Sequence, residues 1–131
     1  MLLPLTALKA VPLATGTSWS EPPAANPIFD PLYPESAKMM MRSFDAGTQE
    51  VLYRGGVFGG KEAQLMALAA SAGMKCEYCI LAHTAMARAA GATDDEIAAA
   101  VMMAAEIQFR STILYGNEYS QEKLRKMVTG G

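Results

Sequence analysis

After Pro34 the apolar residues fall into helical stretches, and nowhere do apolar and polar residues alternate as they do along a strand. Residues 35–53 read as a first helix, with Met39, Met40, Phe44, Val51 and Leu52 among its apolar positions and Gly55-Gly56 as its stop. Gly59-Gly60 punctuates the loop that follows, and residues 61–72 read as a second helix ended by Gly73. A third covers about 76–90 and stops at Gly91. The fourth opens on Thr93-Asp94-Asp95-Glu96, a capping box in which Thr93 and Glu96 each satisfy a free backbone N–H. It continues to about 114, before Gly116-Asn117, and a short fifth covers 120–128. The fold class that follows is all-α, a bundle of about five to six helices.

The first 33 residues differ in kind. All seven prolines lie at or before position 34, and residues 1–33 carry only three charges, on Lys9, Glu21 and Asp30. Proline at that density excludes helix and central strand alike, so 1–33 reads as an extended arm and 34–131 as the helical domain. The arm also holds Leu2, Leu3, Leu5, Val11, Leu13, Trp19, Ile28 and Phe29, which makes it more apolar than a solvated tail. It is expected to lie on a protein surface, its own or a neighbouring subunit's.

A chain of 131 residues, 51% hydrophobic, is enough for one domain with a substantial core. The formal net charge of -2 gives no reason to expect nucleic acid or an anionic membrane as partner. No stretch reads as both long enough and free enough of charge to cross a bilayer. The run Met1–Lys9 is poor as a secretory signal, since its basic residue follows the apolar run and Pro4 interrupts it. A cytoplasmic location is expected. There an isolated C-x-x-C serves redox or metal chemistry, not a structural staple. Met39-Met40-Met41 and Met102-Met103 read as adaptable core or interface, not as a soft-metal site.

The candidate chemistry is concentrated in eight positions. Cys76, Cys79 and His83 are the only cysteines and the only histidine of the chain. On a helix they are spaced i, i+3 and i+7, so all three share one stripe. Alpha carbons three residues apart on a helix lie about 5 Å from each other, within the range a disulfide tolerates. Cys76 falls at the start of the third helix, where free N–H groups and the helix dipole stabilise a thiolate, and Lys75 adds positive charge beside it. Cys79, one turn deeper, depends on His83 for deprotonation. A structural zinc ion would need a fourth ligand beyond two thiolates and one imidazole. Arg88, five residues past His83, lies off the stripe and reads as half of a surface ion pair.

The segment Gln64-Leu-Met-Ala-Leu-Ala-Ala-Ser-Ala-Gly-Met-Lys-Cys-Glu-Tyr-Cys-Ile-Leu-Ala-His83, continuing to Ala-Gly-Ala-Thr-Asp-Asp-Glu96, resembles the carboxymuconolactone decarboxylase superfamily over about 61–105. Its C-x-x-C-x-x-x-H pattern is similar to the alkylhydroperoxidase AhpD-like branch. The resemblance implies an all-helical subunit that assembles as a homotrimer or homohexamer, with a proton relay around the cysteines; no cofactor or metal is expected. It implies that Cys79 attacks a hydroperoxide, that Cys76 resolves the sulfenate as a disulfide, and that His83 carries the proton. A glutamate twelve residues before the first cysteine completes the relay in that branch. Here the position holds Gln64, and Tyr78 stands where some members have a second histidine. Glutamine orients His83 or a water but takes up no proton. Glu62 points elsewhere on its helix, and Glu106 reads as part of a solvated face or a subunit contact.

The expected function is a thiol-dependent oxidoreductase acting on small peroxide or disulfide substrates, regenerated by a dithiol reductant protein or small thiol. Two alternatives remain open: a non-catalytic assembly protein whose cysteine pair responds to redox state, and a lactone decarboxylase or isomerase.

Overall fold

The computed structural model describes residues 23–54 and 56–130. Among them are five α-helices and no strand, as the sequence pattern requires: α1 (Lys38–Thr48), α2 (Gly60–Met74), α3 (Glu77–Ala89), α4 (Asp94–Gly116) and α5 (Gln121–Thr129). They divide into two units, the first ending at Ala46 within α1 and the second beginning at Gly47.

In the first unit, residues 26–32 are not extended, contrary to expectation. The Asn26 side chain accepts hydrogen bonds from the Ile28 and Phe29 N–H groups at 3.0 and 3.3 Å, and the Asp30 N–H bonds to the Asn26 carbonyl at 2.9 Å. A 3-10 turn, Asp30–Leu32, follows with Pro31 in its first turn. Asparagine mimics a backbone turn, and proline suits the start of one, so polar turn chemistry overrides the extended bias here. Asp30 is buried and held by the Arg42 guanidinium at 2.5 and 2.8 Å, which keeps its carboxyl below the ordinary range. Residues 1–22 of the expected arm lie outside the described residues.

The second unit is organised around α2, which packs against α3, α4 and the segment Gln49–Tyr53. Leu68 and Ala87 are fully buried, Ile97 and Ala100 nearly so, and Leu65, Ala69, Ile80 and Ala92 pack around them. The alanines at this seam let helix backbones approach closely. Local chemistry sets the ends of α3 and the start of α4. The expected capping box at Thr93 and Glu96 is present, and Lys61 of α2 also bonds Glu96 at 2.6 Å. Gly91, at φ 88°, ends α3, with the Ala92 N–H reaching the Ala87 carbonyl.

Three details differ from the sequence reading. The run 35–53 is helical throughout but not uniform: Glu35–Ala37 is a 3-10 turn, and Gln49–Tyr53 is a π-helical turn closed by the Arg54 N–H on the Gln49 carbonyl at 3.0 Å. Gly73 does not end α2, which runs on to Met74. The stop is Lys75, in the left-handed conformation at φ 57°. Finally, α4 is 23 residues long and contains an 18-residue window of mean hydropathy 1.3, so by length and composition it is able to cross a membrane. Between Ile97 and Leu114 its only charges are Glu106 and Arg110, and extension to Gly116 supplies the length. Its described surroundings bury only Ile97 and Ala100, leaving Met102, Met103, Ile107 and Phe109 exposed.

Candidate functional site

The joint between α2 and α3 places the cysteine pair. The Lys75 N–H bonds to the Ala72 carbonyl and the Cys76 N–H to the Ser71 carbonyl, both at 3.1 Å, a pair of bonds that closes α2 around left-handed Lys75. Cys76 then leaves with extended backbone and becomes the N-cap of α3, its Sγ accepting the Cys79 N–H at 3.3 Å. One residue thus terminates one helix and starts the next. Serine, threonine and aspartate usually do this capping. A sulfur in that place sits where four N–H groups of the new helix lack partners, the environment that stabilises a thiolate. Cys76 and Cys79 form a disulfide, with alpha carbons 5.3 Å apart.

His83 lies one turn further along α3 than Cys79 and is half-buried. Its Nδ1 donates to Oε1 of Gln64 on α2 at 2.8 Å. Gln64 is only 7% exposed, so its amide oxygen needs a partner, and the imidazole supplies it. With the proton fixed on Nδ1, the basic lone pair is on Nε2. The ring of Tyr53 stacks on the imidazole, with centroids 5.8 Å apart and planes 20° from parallel. Burial pushes the His83 pKa below the ordinary imidazole value. Its hydrogen-bond partner among the described residues is the neutral amide of Gln64, so the imidazole is a neutral base at neutral pH.

The structure joins Gln64 to His83 and Cys76 to Cys79, with the disulfide one turn before His83 on α3, and leaves the other candidates elsewhere. Glu62 is exposed and folds its carboxylate back over Gly59. Glu106 pairs with Arg110 one turn along α4. Arg88 pairs with Asp94 at 3.0 Å. Tyr78 is 88% exposed. Among the described residues no group of three or more His, Cys, Asp or Glu side chains is placed to hold a metal ion. The contact that sequence reasoning missed is Tyr53. Its only signal was an aromatic residue just before Gly55-Gly56, too common a pattern to single out.

Comparison with known families finds one match: the model of the carboxymuconolactone decarboxylase family, over residues 38–120. That span runs from the start of α1 through the cysteine pair to the residue before α5. No curated protein and no solved structure matches the chain.

Proposed function

The chain belongs to the carboxymuconolactone decarboxylase family, and within it we propose a thiol-dependent oxidoreductase of the AhpD-like type, acting on small peroxide or disulfide substrates. The observation that carries this reading is the Cys76–Cys79 disulfide at the start of the helix that also bears the half-buried imidazole of His83.

In the reduced protein, Nε2 of His83 takes the Cys79 proton. The Cys79 thiolate attacks the distal oxygen of a hydroperoxide, the O–O bond breaks, and the departing alkoxide takes a proton, leaving an alcohol and a Cys79 sulfenic acid. The Cys76 thiolate then attacks the Cys79 sulfur. The disulfide forms and water leaves. With a disulfide substrate one cysteine sulfur forms a mixed disulfide and expels one thiol, and the second cysteine expels the other. In both cases the dithiol supplies two electrons, and an external dithiol restores it. Gln64 orients His83 in this cycle but neither accepts nor returns a proton. Thiol–disulfide exchange, which needs less proton transfer than O–O cleavage, is therefore the faster of the two activities.

The test is turnover of a hydroperoxide and of a small aromatic disulfide with dithiothreitol as reductant. Cys79→Ser is expected to abolish both, and unchanged turnover would remove Cys79 from the mechanism.

A second proposal concerns assembly. The apolar face of α4 includes Met102 at 71%, Ile107 at 62% and Phe109 at 64% exposed, more than a soluble single chain usually leaves uncovered. A cytoplasmic homotrimer or homohexamer would cover that face. Light scattering with and without reductant measures the assembly and shows whether the cysteine pair controls it.

A further inference from the structure

We infer that Tyr53 is a positioning residue for His83: the π-helical turn presses its ring onto the imidazole, so that Gln64 and Tyr53 together fix which nitrogen faces the thiols. The inference rests on the thiol chemistry proposed above.

The geometry is specific to this stretch of chain. Tyr53 is the last residue of the π turn Gln49–Tyr53, and an α-helical continuation would rotate it to another direction. The turn is locked from behind. Val57 N–H returns to the Val51 carbonyl at 3.0 Å, and a Cβ on Gly56 would approach the Glu50 and Val51 carbonyl oxygens to 2.7 and 2.9 Å. Only glycine fits there. On the other side the Tyr53 carbonyl rests against Gly60, where a Cβ would sit 3.2 Å away. Gly60 begins α2, the helix that carries Gln64. The same two segments therefore hold both groups that touch the imidazole: Gln64 through a hydrogen bond to Nδ1, Tyr53 through a near-parallel stack.

What such an arrangement does is orient. A hydrogen bond to one nitrogen fixes a tautomer but leaves the ring free to swing about the bond axis. A stacked aromatic face removes that freedom. It also shields the ring from water, in keeping with the lowered basicity of His83. Among the described residues, the groups placed against the imidazole are Gln64 from α2 and Tyr53 from the π turn.

His83 is the only histidine, so its ring gives a single set of proton resonances to follow by NMR. In the wild-type protein, cross-relaxation between Tyr53 and His83 ring protons is expected; its absence overturns the inference without any variant. Tyr53→Phe keeps the stack and is expected to leave both the His83 titration and the pH profile of Cys79 alkylation, read in Cys76→Ser protein, unchanged. Tyr53→Ala removes the aromatic face and opens the imidazole to water. It is expected to raise the His83 midpoint toward 6.5 and to slow Cys79 alkylation about tenfold, within the range that loss of orientation costs. Tyr53→Ala matching wild type in both measurements overturns the inference. Neither measurement needs turnover. A protein that shows this dependence on Tyr53 but consumes no peroxide or disulfide would refute the proposed function alone, and normal turnover with an unmoved titration would refute this inference alone.

Discussion

Oε1 of Gln64 lies 2.8 Å from Nδ1 of His83, so a neutral amide occupies the place from which a carboxylate would charge the imidazole. Gln64→Glu puts an anion beside the ring and is expected to raise the His83 pKa, reversing the effect of burial. It also adds the missing titratable group. Hydroperoxide turnover is expected to increase by about a hundredfold, the low end of what general acid–base catalysis contributes. Steady-state assay together with imidazole titration checks both effects.

Replacing Gln64 by leucine removes the acceptor and strands the Nδ1–H inside the protein. The expected cost is about 1–3 kcal/mol of stability, measured by urea unfolding. The His83→Gln, Gln64→Leu double variant is expected to cost less than the sum of its parts, because the stranded donor is gone.

Stability should also respond to pH through His83. The folded-state pKa lies below the unfolded value near 6.5, so the unfolded chain binds the proton more tightly. The contribution is full above about 6.5 and is lost as pH falls through the folded pKa. Urea midpoints are expected to drop across that window in wild type and to lose this step in His83→Gln. Asp30 and Glu96, whose carboxyls are held below their ordinary values by Arg42 and Lys61, lose their contributions only at more acidic pH.

The end of α2 has its residues in the less favourable order. Gly73 is helical, and a Cβ there would meet nothing closer than the Gln108 side chain at 3.8 Å, while Lys75 holds a left-handed backbone. Gly73→Ala is expected to stabilise by about 0.5–1 kcal/mol through helix propensity. Lys75→Gly is expected to add about 1 kcal/mol by relieving the backbone. It also removes a positive charge from the residue before Cys76, so alkylation of the reduced Cys76 is expected to slow, which its rate measures.

Much of this was legible in the sequence, for identifiable reasons. Thr93 and Glu96 announce a helix start because capping chemistry is local, and Gly91 announces a stop because it sits where a left-handed residue is needed. Cys76, Cys79 and His83 share a stripe by helical spacing alone. What was hidden depends on tertiary contact or on uncommon backbone. Gly73 read as a stop because glycine usually is one, yet α4 approaches it and Gln108 Nε2 bonds its carbonyl at 2.7 Å. Nothing local distinguishes a π turn from an α turn in Gln49–Tyr53, so the Tyr53 stack on His83 could not be foreseen. Nor does the sequence of α4 show how little of it the described residues bury.

The central claim is that the Cys76–Cys79 dithiol supplies the electrons. The most direct measurement is a single turnover of pre-reduced protein, free of external thiol, followed by free-thiol titration and intact mass. Mixed with one equivalent of hydroperoxide or small disulfide, the wild-type protein is expected to lose both thiols and two hydrogens as the substrate disappears in equal amount. Substrate consumption that leaves both thiols titratable, or that continues in a Cys76→Ser, Cys79→Ser double variant, would contradict the account and point to thiol-independent chemistry at this fold.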